Sequence, residues 1–277
     1  MKYHLSFLIT AFVAVILFLS SGNAQAQTNV QQIVLEANDG NRITGFVHQN
    51  IKTAKDAPLA ILMHGMTGSS LTWLAYDHGT YGDIITRDLI ARGYRVVALE
   101  ARSHGARKDN MKPLERLKLA RSGDTKPYLA MINGTVDDYE VLLTKVRNQF
   151  GEPRHILVMG YSMGAQMSVL FAAKHDEVSH IVTMVPPAVG SVPEVAPKNH
   201  AQKVTADWLL ITAKQDQFST KADNDALLAA AKKPLDHVEF DSKHRLPPAY
   251  TTAVINWVGK IKNSRINEIG TDSKKGR

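Results

Sequence analysis

His155-Ile-Leu-Val-Met-Gly160-Tyr-Ser162-Met-Gly164-Ala-Gln-Met167 holds the densest structural information in the chain. His155 to Met159 contains a short aliphatic run, the pattern of a strand buried on both faces of a parallel sheet. Met163 to Lys174 reads as a helix, so Gly160-Tyr161-Ser162-Met163-Gly164 is a G-x-S-x-G motif placed directly between strand and helix, the context that gives it meaning. With 18 glycines in 277 residues, a chance match in that context is rare. A serine at such a junction occupies a strained, tight turn, and the flanking glycines, lacking Cβ, let helix and strand approach closely. The hydroxyl is then presented at the carboxyl end of the sheet, where open α/β folds bind their ligands.

Outward from this motif, strand and helix alternate. Val30 to Glu36 and Arg42 to His48 flank the turn-rich Asn38-Asp39-Gly40-Asn41 and predict an antiparallel hairpin. Leu59 to Met63, Arg95 to Leu99, His180 to Val185, Trp208 to Thr212 and Val238 to Phe240 repeat the short aliphatic pattern of His155 to Met159. Helical spacing occupies Asp83 to Ala91, Val136 to Phe150, Asp223 to Lys232 and Pro248 to Lys262. Thr135 with Asp138 reads as the capping box of the second of these. Two antiparallel strands followed by repeated β–α units predict one α/β domain, a mostly parallel, doubly wound sheet with helices on both faces.

A serine hydroxyl is a weak nucleophile until a base takes its proton, and the base needs an acid to hold it. In this fold the order is Ser, then Asp or Glu, then His, on loops after later strands. Asp216 lies four residues past the Trp208 to Thr212 run, and His244 four residues past Val238 to Phe240. His237 sits at the start of its strand, the wrong end of the sheet for a base. Asp207 precedes its strand and Asp223 reads as part of a helix start, which leaves Asp216 as the acid. Developing negative charge needs donors: the loop His64-Gly65-Met66-Thr67-Gly68 after the first parallel strand offers the Met66 amide, and the helix start at Met163 a second. His64 is read as a structural hydrogen-bonding residue of that loop.

Taken together, His64-Gly65, Gly-Tyr-Ser162-Met-Gly, Asp216 and His244 resemble the α/β-hydrolase superfamily from about Val30 to Lys262. Leu99-Glu100-Ala-Arg102-Ser103-His104-Gly105 is similar to the family's Asp-x-Arg-Gly-His-Gly loop, with Glu100 replacing Asp and Ser103 replacing Gly. The resemblance implies the α/β-hydrolase fold without a large cap domain, and acyl transfer to water from a small-molecule ester, thioester or amide. Catalysis would pass through an acyl-serine on Ser162, with no cofactor or metal. A serine peptidase or amidase, and a non-catalytic binding protein of the same fold, are the competing readings.

Composition narrows the rest. The chain has no cysteine, which excludes disulfides, Cys-ligated metal sites and a thiol nucleophile. Its net charge of +7 is spread without a nucleic-acid-binding motif, so no nucleic acid is expected as a partner. Lys2, the apolar Leu5 to Leu19 and Ala24-Gln25-Ala26 read as a signal peptide over residues 1–26, cleaved before Gln27. The expected protein is therefore secreted or periplasmic, has no membrane span after cleavage, and is a monomer or weak homodimer. Residues 27–262 form the domain, and Asn263 to Arg277 a polar tail expected to be disordered. Val185 and Trp208 are too close for a multi-helix cap between them, which predicts an open site. Trp73, Tyr76 and Tyr161 are the aromatic candidates for its walls, with Trp73 and Tyr161 taken as substrate-binding. Ala106 to Gly134, a long connection containing the amphipathic Pro113 to Ala120, carries seven basic residues against three acids and is read as a solvated charged loop, the other reading being a flap over the site that favours anionic substrates.

Overall fold

The computed structural model describes residues 27–76 and 79–261. The signal peptide expected at 1–26 and the tail expected at 263–277 lie outside the described residues. The apolar runs become eight strands of one sheet: β1 (Thr28–Glu36), β2 (Arg42–Asn50), β3 (Leu59–Met63), β4 (Arg95–Leu99), β5 (Ile156–Tyr161), β6 (Val178–Met184), β7 (Asp207–Ala213) and β8 (Asp236–Phe240). Their order is β1-β2-β4-β3-β5-β6-β7-β8. β1 and β2 pair antiparallel, β2 joins β4 antiparallel, and every pairing from β4 to β8 is parallel. All residues of β3, β4 and β5 are buried, which is why these runs show no polar alternation.

The described residues form seven α-helices: α1 (Gly82–Ala91), α2 (Pro113–Arg121), α3 (Lys126–Phe150), α4 (Met163–Ala172), α5 (Pro197–His200), α6 (Lys221–Ala230) and α7 (Ala249–Val258). Because successive strand residues point to opposite faces, the core divides in two. Ile61, Val97 and Val158 pack with apolar residues of α3 and α4 on one face. Leu62, Ala98 and Leu157 pack with Ile85 and Leu89 of α1 and Val254 and Trp257 of α7 on the other. Among the described residues no helix is long and apolar enough to cross a membrane.

One helix departs from the sequence expectation. α3 begins at Lys126, ten residues before Val136, and carries Pro127 in its first turn. Thr135 is therefore not a cap but lies mid-helix, where its hydroxyl donates to the Met131 carbonyl at 2.7 Å and accepts from the Arg102 amide at 3.0 Å. Asp138, the supposed capping partner, is 1% exposed. It binds the guanidinium groups of Arg102 at 2.8 Å and Arg107 at 2.6 Å. A short polar pattern that suits a helix start also suits a buried ion-pair cluster, and here the tertiary partners decide. The capping box that does form is Thr220 with Asp223 at the start of α6, in line with the reading of Asp223 as part of a helix start.

Two histidines, His64 buried and His155 half-buried, are expected to make the fold acid-sensitive. Burial pushes His64 down to about 3, and burial with the neighbouring His180 pushes His155 down to about 4, both from 6.5. In the unfolded chain both rings take up protons near pH 6.5, while the folded protein keeps them neutral. Their contribution to stability is complete above that pH and is lost as the pH falls through 6.5 toward 4. A melting temperature that declines steadily over this range is expected from differential scanning fluorimetry; a flat profile down to pH 4 would contradict the burial of these rings as neutral groups.

Candidate active site

Three loops at the carboxyl ends of β5, β7 and β8 bring the site together. Ser162 stands alone between β5 and α4 at φ 55° and ψ −117°, a conformation that costs a non-glycine residue energy and that the flanking structure must impose. Its amide donates to the Met184 carbonyl at 2.8 Å, and its carbonyl accepts from the Gln166 amide at 3.0 Å, so the turn is pinned at both ends. Gly160 and Gly164 make the turn possible. A Cβ on Gly160 would come within 3.0 Å of the Gly164 backbone, and one on Gly164 within 3.0 Å of the Met63 and His64 carbonyls.

The Ser162 hydroxyl lies 2.7 Å from His244 Nε2. His244 Nδ1 lies 3.0 and 2.8 Å from the two carboxylate oxygens of Asp216. A carboxylate only accepts, so Nδ1 carries the proton and Nε2 presents its lone pair to the serine O–H. Asp216 is buried and also accepts from the Phe218 amide at 2.8 Å, which fixes the carboxylate plane. The three expected residues are thus in one hydrogen-bonded line, although 82 positions separate Ser162 from His244. His237, at the other end of β8, contacts Thr212 instead.

The loop after β3 closes one side of the serine. A Cβ on Gly65 would stand 3.5 Å from Ser162 Cβ, which places this loop against Ser162. His64 is 1% exposed; its Nε2 accepts from the Ala101 amide at 3.0 Å, which leaves Nδ1–H to donate to the Gly65 carbonyl at 2.9 Å. Glu100 Oε1, 3.4 Å from the same Nε2, therefore faces a neutral ring and forms no ion pair with it. His104 Nε2 lies 2.6 Å from the Met66 carbonyl. His104 Nδ1 also lies 2.9 Å from the Arg102 carbonyl, so the single N–H of the neutral His104 ring serves one of these two carbonyls, while the His64 N–H holds that of residue 65. Among the described residues the Met66 amide has no backbone acceptor, and Met163 opens α4, where first-turn amides have none within the helix.

A cavity of about 790 Å³ opens over Ser162 and is lined by His64 to Gly68, Trp73, Tyr161, Met163, Phe218 and His244, among others. Trp73 and Tyr161 are in its wall as expected, whereas Tyr76 is 63% exposed and is not. The reading of Ala106 to Gly134 as a solvated charged loop is overturned. The segment holds α2 and the first two turns of α3, and Leu114, Leu117, Arg121 and Tyr128 from it line the cavity. Arg116 ties α2 down through Asp109 at 2.6 Å and the Pro127 carbonyl at 3.2 Å. The amphipathic Pro113 to Ala120 is α2, and Leu114 and Leu117, three apart on one helical face, are its apolar contribution to the cavity wall. Phe218, edge-on to the His244 ring at 4.6 Å, was also missed; an aromatic two residues past the acid was its only trace in the sequence. Among the described residues no cluster of three or more His, Asp or Glu side chains is disposed to hold a metal ion.

Residues 60–259 match the model of a family described as the alpha/beta hydrolase family. Among solved structures, an esterase from an Arctic intertidal metagenomic library, cold-adapted and bound to PEG, superposes with a TM-score of 0.69 at 16% identity, covering 87% of this chain and 97% of that one. An acetyl xylan esterase from Paenibacillus gives 0.67 at 14% identity, covering 87% and 86%. An esterase of Pyrococcus furiosus gives 0.62 at 15%, covering 83% and 89%. No curated protein matches the chain.

Proposed function

This chain belongs to the alpha/beta hydrolase family, and from that premise we propose that it is an exported serine hydrolase that cleaves small carboxylic esters through an acyl-serine. The observation that carries the reading is the unbroken line from Ser162 Oγ through His244 to Asp216, at 2.7 and 2.8 Å. A serine hydroxyl facing an imidazole lone pair can lose its proton as it attacks a carbonyl carbon, and Asp216 stabilises the imidazolium that results. The Met66 and Met163 amides receive the oxyanion. His244 then returns the proton to the leaving alkoxide, and water repeats the sequence on the acyl-enzyme. Positioned acid–base help is worth roughly 10²–10⁴-fold, and one oxyanion donor roughly 10²–10³-fold.

Ester preference rests on the structural neighbours, all three described as esterases, and on the size of the cavity, which suits a small molecule. Export rests on the N-terminal pattern and predicts a mature protein starting at Gln27, in monomeric or weakly dimeric form. The direct test is a fluorophosphonate probe followed by peptide mapping, paired with a panel of acyl esters of increasing chain length. One modified residue, Ser162, and turnover of at least one ester are expected. Labelling at another residue, or none, would overturn the serine mechanism.

A further inference from the structure

The loop that carries His244 receives little support from the sheet. Among the described residues β8 is an edge strand that pairs with β7 alone, and its residues are all exposed or half-buried. At the near end of the loop, Ser242 is held by its carbonyl, which accepts from the Gln215 amide at 2.9 Å. At the far end, the Tyr161 phenol reaches the loop. The Tyr161 hydroxyl donates to the His244 carbonyl at 2.9 Å and accepts from the buried Leu246 amide at 3.0 Å. Both bonds cross more than eighty residues of sequence, and they bracket His244 on the residue itself and two beyond it. The ring is 6% exposed and packs edge-on to His244 at 6.2 Å and to Tyr250 of α7 at 6.0 Å.

Tyr161 is also the residue immediately before Ser162. Its main chain ends β5 and leads into the strained turn, while its side chain grips the loop of the base. We infer that Tyr161 is a positioning residue for His244: it sets the distance between nucleophile and base by tying the histidine loop to the strand that delivers the serine. This gives the position a role different from the substrate contact expected of it, since the polar end of the side chain is engaged by main-chain groups of residues 244 and 246. The inference rests on the proposed serine mechanism and assigns a part in it to a side chain outside the triad.

Phenylalanine at this position keeps the ring contacts and removes both hydrogen bonds, leaving a carbonyl and a buried amide unpaired. The loop then has reason to move, and a displacement near 1 Å in a catalytic group costs on the order of 100-fold in rate. Y161F is expected to lose roughly 10- to 100-fold in kcat with KM changed less than about twofold, and its labelling by the fluorophosphonate should slow in step. Because the effect passes through the imidazole, adding Y161F to H244A should change the residual rate by less than about twofold. A Y161F enzyme within about twofold of wild type, a change confined to KM, or an undiminished loss in the H244A background would each overturn the inference. If H244A alone retained wild-type activity, the triad itself would fall; a dead H244A beside a fully active Y161F would remove only the positioning role. Hydrogen exchange on the wild-type protein tests the geometry without any variant: the Leu246 amide should exchange much more slowly than that of Lys243, and equal rates would overturn the bridge.

Discussion

Ser162→Ala should lose at least about 10⁴-fold in kcat/KM toward any ester the wild-type protein hydrolyses, with no measurable fluorophosphonate labelling. The substitution removes the one oxygen that His244 Nε2 contacts at 2.7 Å and leaves the imidazole nothing to activate except water. The fold should be unaffected, because the positive φ of residue 162 is imposed by Gly160, Gly164 and the bonds to Met184 and Gln166, none of which involves the side chain. Alanine meets the same backbone strain as serine, so stability should stay within about 0.5 kcal/mol of wild type. Activity retained above about a tenth of wild type would exclude Ser162 as the nucleophile, since no step of the mechanism tolerates its loss.

Gly164→Ala should have the largest effect on stability. The added Cβ would fall within 3.0 Å of the Met63 carbonyl carbon and oxygen and of the His64 oxygen. These are backbone atoms at the end of the buried central strand β3, and no rotamer change moves them out of the way. Relief requires α4 to separate from β3, which unpacks Met163 and Met167 from the core they share with Ile61 and Met63. Overpacking of this kind costs about 3 kcal/mol or more, a loss of roughly 6–12 °C in melting temperature for a domain of this size. Gly190→Ala is the control: a Cβ there meets nothing within 4 Å, and its melting temperature should match wild type. Equal melting temperatures for the two variants would show that α4 does not press on β3 as closely as the geometry has it.

The residues that were legible from sequence are those whose signal is local. Leu59–Met63 and Arg95–Leu99 coincide with β3 and β4 because a strand buried on both faces is apolar along nearly its whole length, the exception being Arg95 at the start of β4, whose guanidinium is hydrogen-bonded to Gln49, Ala54 and Lys55. G-x-S-x-G was legible because close approach of backbone to backbone admits only glycine, wherever the chain does it. Thr135 and Asp138 went astray for the opposite reason. A threonine three residues before an acid satisfies the local rule for a helix start, yet Arg102 and Arg107, brought in from the β4 loop, gave both side chains other partners.

By itself, the sequence determined a doubly wound α/β chain with a serine at a glycine-flanked strand–helix turn, and an acid and a histidine after two later strands. These follow from short-range sterics and from the period of hydrophobic burial, which act over a few residues. Only the tertiary structure decided that α2 lines the cavity, which carbonyl the His64 ring holds, and that Tyr161 reaches across to the loop of His244. Each depends on which strands lie side by side and on how far their loops extend, and strand order is a property of the whole packed core, written at no single place in the chain.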